Sequence, residues 1–179
     1  MVQVRLPATW PLGLEVKHSA GILLFRRRPN GVEVFLVHPG GPYFARRDEG
    51  VWSLPKGEFE PGADSLAEAR REFEEETGRP LDTCAPGAGP IALGTIVQRN
   101  HKTVHAWAFE GDWPEDLEIR SNTFELEWPP RSGRRQRFPE VDRGAFFDLV
   151  AARRKLNPAQ VELVDRLLDC LDGPSTRPR

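Results

Sequence analysis

The sequence is poor in the features that would place it outside ordinary globular proteins. It has two cysteines, Cys84 and Cys170, far apart and without C-x-x-C spacing. Neither a zinc site nor a disulfide framework follows, and two reduced thiols are the reading. No apolar run approaches the ~20 residues that span a bilayer. Residues 1–16 hold one basic residue and are broken by Pro7 and Pro11, so no signal peptide is expected. A large excess of one charge is missing too. The 25 Lys and Arg against 27 Asp and Glu leave a net charge of −2. That argues against a generic nucleic-acid coat or a basic membrane-surface protein. No repeat recurs at solenoid periods. The expectation is a cytoplasmic protein with no membrane contact and no stable nucleic-acid complex.

What is present fits one domain with a sizeable core: 179 residues, 39% hydrophobic and 29% charged. Residues 1–17 read as an arm, in which Val2, Val4 and Leu6 alternate and suit an edge strand. Residues 18–38 read as a β-hairpin, two apolar runs around Pro29, Asn30 and Gly31. Residues 39–50 form a loop and 51–54 a short strand. A glycine loop, 57–62, leads into a helix. Asp64 suits its N-cap, with Ser65 and Glu68 as a second capping choice, and Gly78 with Pro80 ends it. Leu66, Ala69 and Phe73 make its apolar stripe. Residues 81–90 read as a loop. A second hairpin spans 91–110 around residues 100–102. Residues 117–128 read as extended, and 129–139 as an irregular basic segment. Residues 144–149 suit a short strand or turn, and 158–171 an amphipathic helix with Pro158 in its first turn. Residues 172–179 are a tail. Strands, a central helix, more strands and a terminal helix predict an α+β domain with a mixed sheet between helices.

Chemistry concentrates on the central helix. Glu72, Glu75 and Glu76 stand at i, i+3 and i+4, which puts three carboxylates on one face. At ~6 Å and an effective dielectric of 20, each pair costs roughly 3 kcal/mol, so a cleft position needs a counter-charge. Oxygen-rich clusters of this kind suit Mg²⁺ or Mn²⁺. Arg71 is spaced to pair with Glu75 at i+4 and with Glu68 at i−3. Gly57 and Gly62 let the preceding backbone approach the same face. Alone, the run EARREFEEE also suits a solvated helix.

The stretch from Gly57 to Arg79 resembles the Nudix hydrolase motif, G-x5-E-x7-R-E-U-x-E-E-x-G-U, where U is a bulky apolar residue. Gly57 opens it, Arg71 and Glu72 are its Arg-Glu pair, and Phe73 is a U position. Glu75 and Glu76 are its paired acids, and Gly78 closes it. Two positions depart: Ala63 stands where the motif has Glu, and Arg79 where it has an apolar residue. The resemblance implies a Nudix-like α/β/α sandwich with a mixed β-sheet between helices, over residues 18–171. It also implies a metal-dependent enzyme that hydrolyses a diphosphate linkage in a nucleoside diphosphate joined to another group.

By that resemblance Glu72, Glu75 and Glu76 bind Mg²⁺ or Mn²⁺, with a backbone carbonyl near Lys56 or Gly57. The general base is Glu72 or Glu140. Lys56 meets the polyphosphate, with Arg46, Arg47 and the cluster Arg131, Arg134, Arg135 and Arg137 next. Trp52, Trp107, Trp128, Tyr43 and Phe44 offer base stacking, although strand tryptophans more often belong to a core. His38, His101 and His105 lack metal spacing. The loop PKGEFEPG looks like that of diadenosine tetraphosphate and diphosphoinositol polyphosphate hydrolases. Against this, Thr95, Ile96 and Val97 stand where many dinucleoside polyphosphate enzymes carry a Tyr. A homodimer is compatible with the sequence. The alternative function is a non-catalytic Nudix-like domain that binds a nucleotide and regulates.

Overall fold

Strand β1 (His18–Arg28) is the axis of the fold. Its run from Ala20 to Phe25 is fully covered on both faces, which is why the sequence there is continuously apolar rather than alternating. The chain reverses at Pro29 and Asn30 into β2 (Gly31–Pro39), paired antiparallel from Phe25↔Val34 to Arg28↔Gly31. The structure, a computed structural model, describes residues 17–98, 101–114 and 118–173. The edge strand expected on Val2, Val4 and Leu6, the tail from residue 174 and part of the second hairpin turn lie outside those residues.

Beyond β2 the chain loops out and returns as β3 (Lys56–Phe59), antiparallel to the first four residues of β1. Helix α1 (Ser65–Thr77) and a short α2 (Leu81–Cys84) follow. Then come β4 (Ile91–Gln98) and β5 (Lys102–Glu110), an antiparallel pair, with β5 parallel to β1 along His18–Phe25. A two-stranded sheet of β6 (Thr123–Glu127) and β7 (Arg135–Pro139) stands apart from the main one. Strand β8 (Val141–Asp148) closes the other edge on β2. Helices α3 (Leu149–Lys155) and α4 (Val161–Asp172) end the described chain, joined through a 3-10 turn at Pro158–Gln160. The main sheet runs β4-β5-β1-β2-β8, with β3 alongside β2 on the same side of β1.

The sheet divides two cores. Alternate residues of β1 point to opposite faces. Leu23 and Phe25 join Val34, Leu36 and Trp52 under α3 and α4, through Ala152, Leu163, Val164 and Leu167. Ala20, Ile22 and Leu24 join Phe35 and Val37 under α1, through Ala69 and Phe73. This is the expected α/β/α sandwich with a mixed sheet. Among the described residues no helix is long and apolar enough to cross a membrane.

Several local expectations change. Residues 56–59 are a strand, not loop, because β1 has a free edge below β2. Residues 51–54 make only isolated bridges, Val37↔Ser53 and Trp52↔Leu156. Leu81–Cys84 forms a helical turn where a loop was expected. The basic segment ends in β7, held by its ladder to β6. The strand expected at 144–149 begins at Val141, and α3 was not anticipated.

Helix α1 starts as the sequence predicts. The Asp64 carboxylate accepts from the backbone N–H groups of Leu66 and Ala67 at 2.9 and 3.4 Å. Gly78 closes the helix in the left-handed region, φ 77°, and donates its N–H to the Glu74 carbonyl at 2.7 Å. Replacing Asp64 with Ala orphans two N–H groups. It will lower stability by ~1 kcal/mol, read as a lower urea midpoint at unchanged denaturant slope; an unmoved midpoint would place the start of α1 elsewhere.

Candidate active site

The residues of the Gly57–Arg79 motif gather where β3 crosses the C-terminal half of α1. Gly57 sits directly against the Glu72 carboxylate: a Cβ added there would fall inside the contact distance of both Glu72 oxygens. The adjacent Lys56 N–H donates to Glu76 Oε2 at 3.1 Å. The strand backbone therefore reaches the acidic face, as the two glycines led to expect.

Arg71 organises the remaining acids. Its Nε donates to Glu68 at 2.9 Å and its Nη1 to Glu75 at 2.6 Å, with Nη2 on Glu72. The two pairings expected from helical spacing are both present. The carboxylates, Glu75 and Glu68 foremost, raise the guanidinium pKa further. Glu68, one helical turn before Arg71 and five residues after Ala63, supplies Arg71 with an acid. Ala63 instead lines a cleft of about 460 Å³ beside Glu68 and Arg71, with His18 and Phe59 on its other wall.

Burial dominates the electrostatics. Burial pushes the Glu76 carboxyl up to about 7, against the opposing pull of Lys56, and Glu72 and Glu140 add to the rise. Burial likewise raises Glu72, with Arg71 opposing and Glu75 and Glu140 adding. Lys56 is half-buried, and its ammonium pKa is lowered by desolvation despite the attraction of Glu76.

Glu140, between β7 and β8, thus shares the field of Glu72 and Glu76. Its backbone is tied down on both sides: its N–H donates to the Asn122 carbonyl and its carbonyl accepts from Gly40 N–H, each at 2.8 Å. Asn122 was not anticipated. Its N–H donates to the Glu75 carbonyl at 3.0 Å and its Nδ2 to Glu75 Oε2 at 3.4 Å. An asparagine between two extended runs carried no signal of that contact.

The basic residues divide. Lys56 is at the centre. Arg46 and Arg47 lie exposed on the turn after β2, with the Arg47 guanidinium 5.7 Å from the Phe44 ring centroid. Arg135 stands on the hairpin, 3.5 Å from Glu125. His105 is packed, 3.2 Å from His18 Nδ1 and edge-on to Phe59. His38 is fully buried between Asp142 and the Arg47 carbonyl.

Among the described residues no three His, Cys, Asp or Glu side chains already form a metal cage. Arg71 draws Glu72 and Glu75 to itself, and the Lys56 N–H holds Glu76. Carboxylate and backbone oxygens around a side-chain-free Gly57 suit a hard, largely hydrated cation better than a caged one. A methyl group at Gly57 would take that space. Gly57→Ala should displace Glu72 and cost ~1–3 kcal/mol by overpacking, seen as a lower urea midpoint. Wild-type stability would mean that Glu72 moves aside freely.

Comparison with known proteins completes the description. The NUDIX domain family model matches residues 17–167. A Mycobacterium tuberculosis protein carrying the name mutator protein MutT4 is 34% identical over 138 residues, 74% of this chain. The chain spans about half the length of that relative, 49%. Two solved structures share the fold. One is a C. elegans Ap4A hydrolase binary complex, with a TM-score of 0.59 at 19% identity, covering 87% of this chain and 98% of the other. The second is the M. smegmatis Nudix hydrolase RenU, with 0.54 at 18% identity, covering 92% and 91%. With the motif residues gathered where β3 meets α1 and the family model spanning both, the chain belongs to the Nudix hydrolase family.

Proposed function

We propose that the chain is a divalent-metal-dependent pyrophosphohydrolase. It cleaves a diphosphate linkage in a nucleoside-diphosphate-linked compound, with a dinucleoside polyphosphate as the favoured substrate. One observation carries the reading: the surplus of carboxylate where β3 meets α1. Glu72, Glu75, Glu76 and Glu140 share that region, and among the described residues Arg71 and Lys56 are the cations that oppose the rise of Glu72 and Glu76. Glu72 is buried, Glu75 and Glu76 are half-buried and Glu140 is exposed beside them; partly desolvated carboxylates in excess call for a cation.

Glu72, Glu75 and Glu76, with a backbone carbonyl beside Gly57, would hold Mg²⁺ or Mn²⁺. Such an ion supplies charge neutralisation and a more acidic bound water. The chain's own groups do the rest. Arg71 orients Glu72 and Glu75, and the Lys56 N–H orients Glu76. The Lys56 ammonium binds substrate phosphate, with Arg46 and Arg47, exposed on the turn after β2, as further phosphate contacts. Glu140, fixed by its two backbone bonds, takes the proton of the attacking water on a carboxylate oxygen; Glu72 is the second choice for that role. The demand on the protein is positioning and electrostatics, as in phosphoryl transfer generally.

The regulatory alternative, a nucleotide binder without turnover, draws on Ala63, which stands where the motif has Glu. Phosphate release from a panel of diphosphate compounds, with Mg²⁺, Mn²⁺ or chelator, separates the two. Metal-dependent release supports the enzyme, and tight binding without release supports the binder. Glu75→Gln and Glu76→Gln will each bring turnover to background while the melting temperature holds. Undiminished turnover in both would sink the assignment.

The Glu76 carboxyl near 7 gives a pH signature. Its folded value lies above the ordinary 4.5, so the metal-free fold is most stable below the lower value. It loses that stability as pH climbs through about 7. Cation binding needs the ionised form, so Mn²⁺ affinity will rise over the same window. Calorimetric titration at about pH 6 and pH 8 checks this, and equal affinities would remove Glu76 from the ligands.

A further inference from the structure

Arg131 and Arg134 between β6 and β7, and Arg135 and Arg137 on β7, look alike in sequence, but the strand ladder separates them. Glu125 lies opposite Arg137 and Glu127 opposite Arg135. The Glu125 carboxylate reaches both guanidinium groups, at 3.3 and 3.5 Å. That face is a self-neutralising strip. The alternate positions face the other way. Phe124 lies opposite Phe138, and a Cβ on Gly41 would come within 2.9 Å of the Phe124 ring. This second face therefore looks onto the turn after β2. The Trp128 N–H donates to the Arg134 carbonyl at 2.9 Å, which carries the pairing one step further and puts Arg134 opposite Trp128 on that inner face. Among the described residues the Arg134 guanidinium has no ion-pair or hydrogen-bond partner.

The turn after β2 brings the third component. Tyr43 is 58% exposed and meets Trp128 edge-on, ring centroids 5.3 Å apart. Trp52 and Trp113, by contrast, are spent in the core at 4% and 6% exposure. The platform adjoins the acidic centre through Gly40, which is bonded to the Glu140 carbonyl and leaves no room for a Cβ against Pro139. Tyr43 is three residues beyond Gly40, a span of at most ~11 Å.

An exposed tyrosine set edge-on to a half-buried tryptophan, on the strand face that also carries an unpaired guanidinium, suits a planar, π-bearing ligand attached to phosphate. A phosphorylated cyclitol has no π-face to offer. We propose that Tyr43, Trp128 and Arg134 form a stacking platform for the nucleobase of the substrate, and that this platform selects base-bearing diphosphates over base-free ones. The proposal rests on the pyrophosphohydrolase reading and narrows its substrate class.

The test uses diadenosine tetraphosphate and 5-diphosphoinositol pentakisphosphate on the wild type, Tyr43→Ala, Tyr43→Phe and Arg134→Ala. Wild type should prefer the nucleotide. Loss of one stacking partner should raise KM for it roughly tenfold in Tyr43→Ala and in Arg134→Ala, with kcat much less affected. Tyr43→Phe should keep a KM near that of the wild type. Both side chains are exposed, so unchanged melting temperatures will exclude misfolding. An unmoved KM in both alanine variants, or a wild-type preference for the inositol compound, overturns the platform. If the wild type cleaves neither compound, the dinucleoside polyphosphate reading fails, yet the platform is still decided. Equilibrium binding of diadenosine tetraphosphate in EDTA should then weaken about tenfold in Tyr43→Ala, and equal binding would sink it.

Discussion

The close approach of β3 to α1 is the constraint on which the centre depends. A helix bearing Glu72, Glu75 and Glu76 would ordinarily turn those acids to water. Here its apolar side, Ala69 and Phe73, is drawn into the core under β1. Pairing of β3 with the start of β1 then sets a backbone against the acidic side. Glu72 ends at 9% exposure and Glu76 is bonded to a strand N–H. Packing on one side of the helix thus forces partial desolvation on the other. The raised carboxyl values follow from that geometry, not from any unusual side chain.

The same approach explains which glycines matter. Gly78 and Gly62 have φ of 77° and 93°, so backbone conformation demands them. Gly57 is not among the positive-φ glycines and sits in a regular strand. Its lack of a side chain serves space, because Glu72 occupies the volume a Cβ would need. That is why a glycine-rich stretch read as loop folds as strand. In sequence, a glycine required for clearance looks the same as one required for a turn.

Much else was legible because the signals were local. Asp64, the stripe of Leu66, Ala69 and Phe73, and Gly78 fixed α1 to its ends. The turn residues Pro29 and Asn30 fixed the first hairpin. The Arg71 pairings to Glu68 and Glu75 followed from helical spacing alone. What escaped depends on partners distant in the chain. Strand β7, RQRFP, has no alternating apolar pattern and is held by its ladder to β6. Helix α3 buries only Ala152 and starts on Asp148, whose carboxylate caps the Ala151 N–H at 2.8 Å. Seven residues are too few for a periodic signal. Arg131, Arg134, Arg135 and Arg137 form a basic cluster that only the strand register can sort.

The departure at Ala63 is resolved within the helix. Arg71 offers five N–H donors in a rigid fork. Glu68, Glu75 and Glu72 occupy Nε, Nη1 and Nη2 in turn. An acid at position 63 would have to act from the loop before the Asp64 cap, and ordering a loop side chain costs conformational entropy. Glu68 acts from a helix already formed, so its approach to Arg71 is prepaid by folding. The change has a geometric consequence: with only a methyl group at 63, the space between the loop and Arg71 stays open as a cleft. The guanidinium remains fixed on its acidic side while part of it still faces that cleft. A chain that holds its arginine this way keeps the arrangement of Glu72 and Glu75 without any contribution from the loop. That frees the loop to vary, and the fixed geometry of the acidic face then rests on α1, β3 and the Asn122 contact to Glu75.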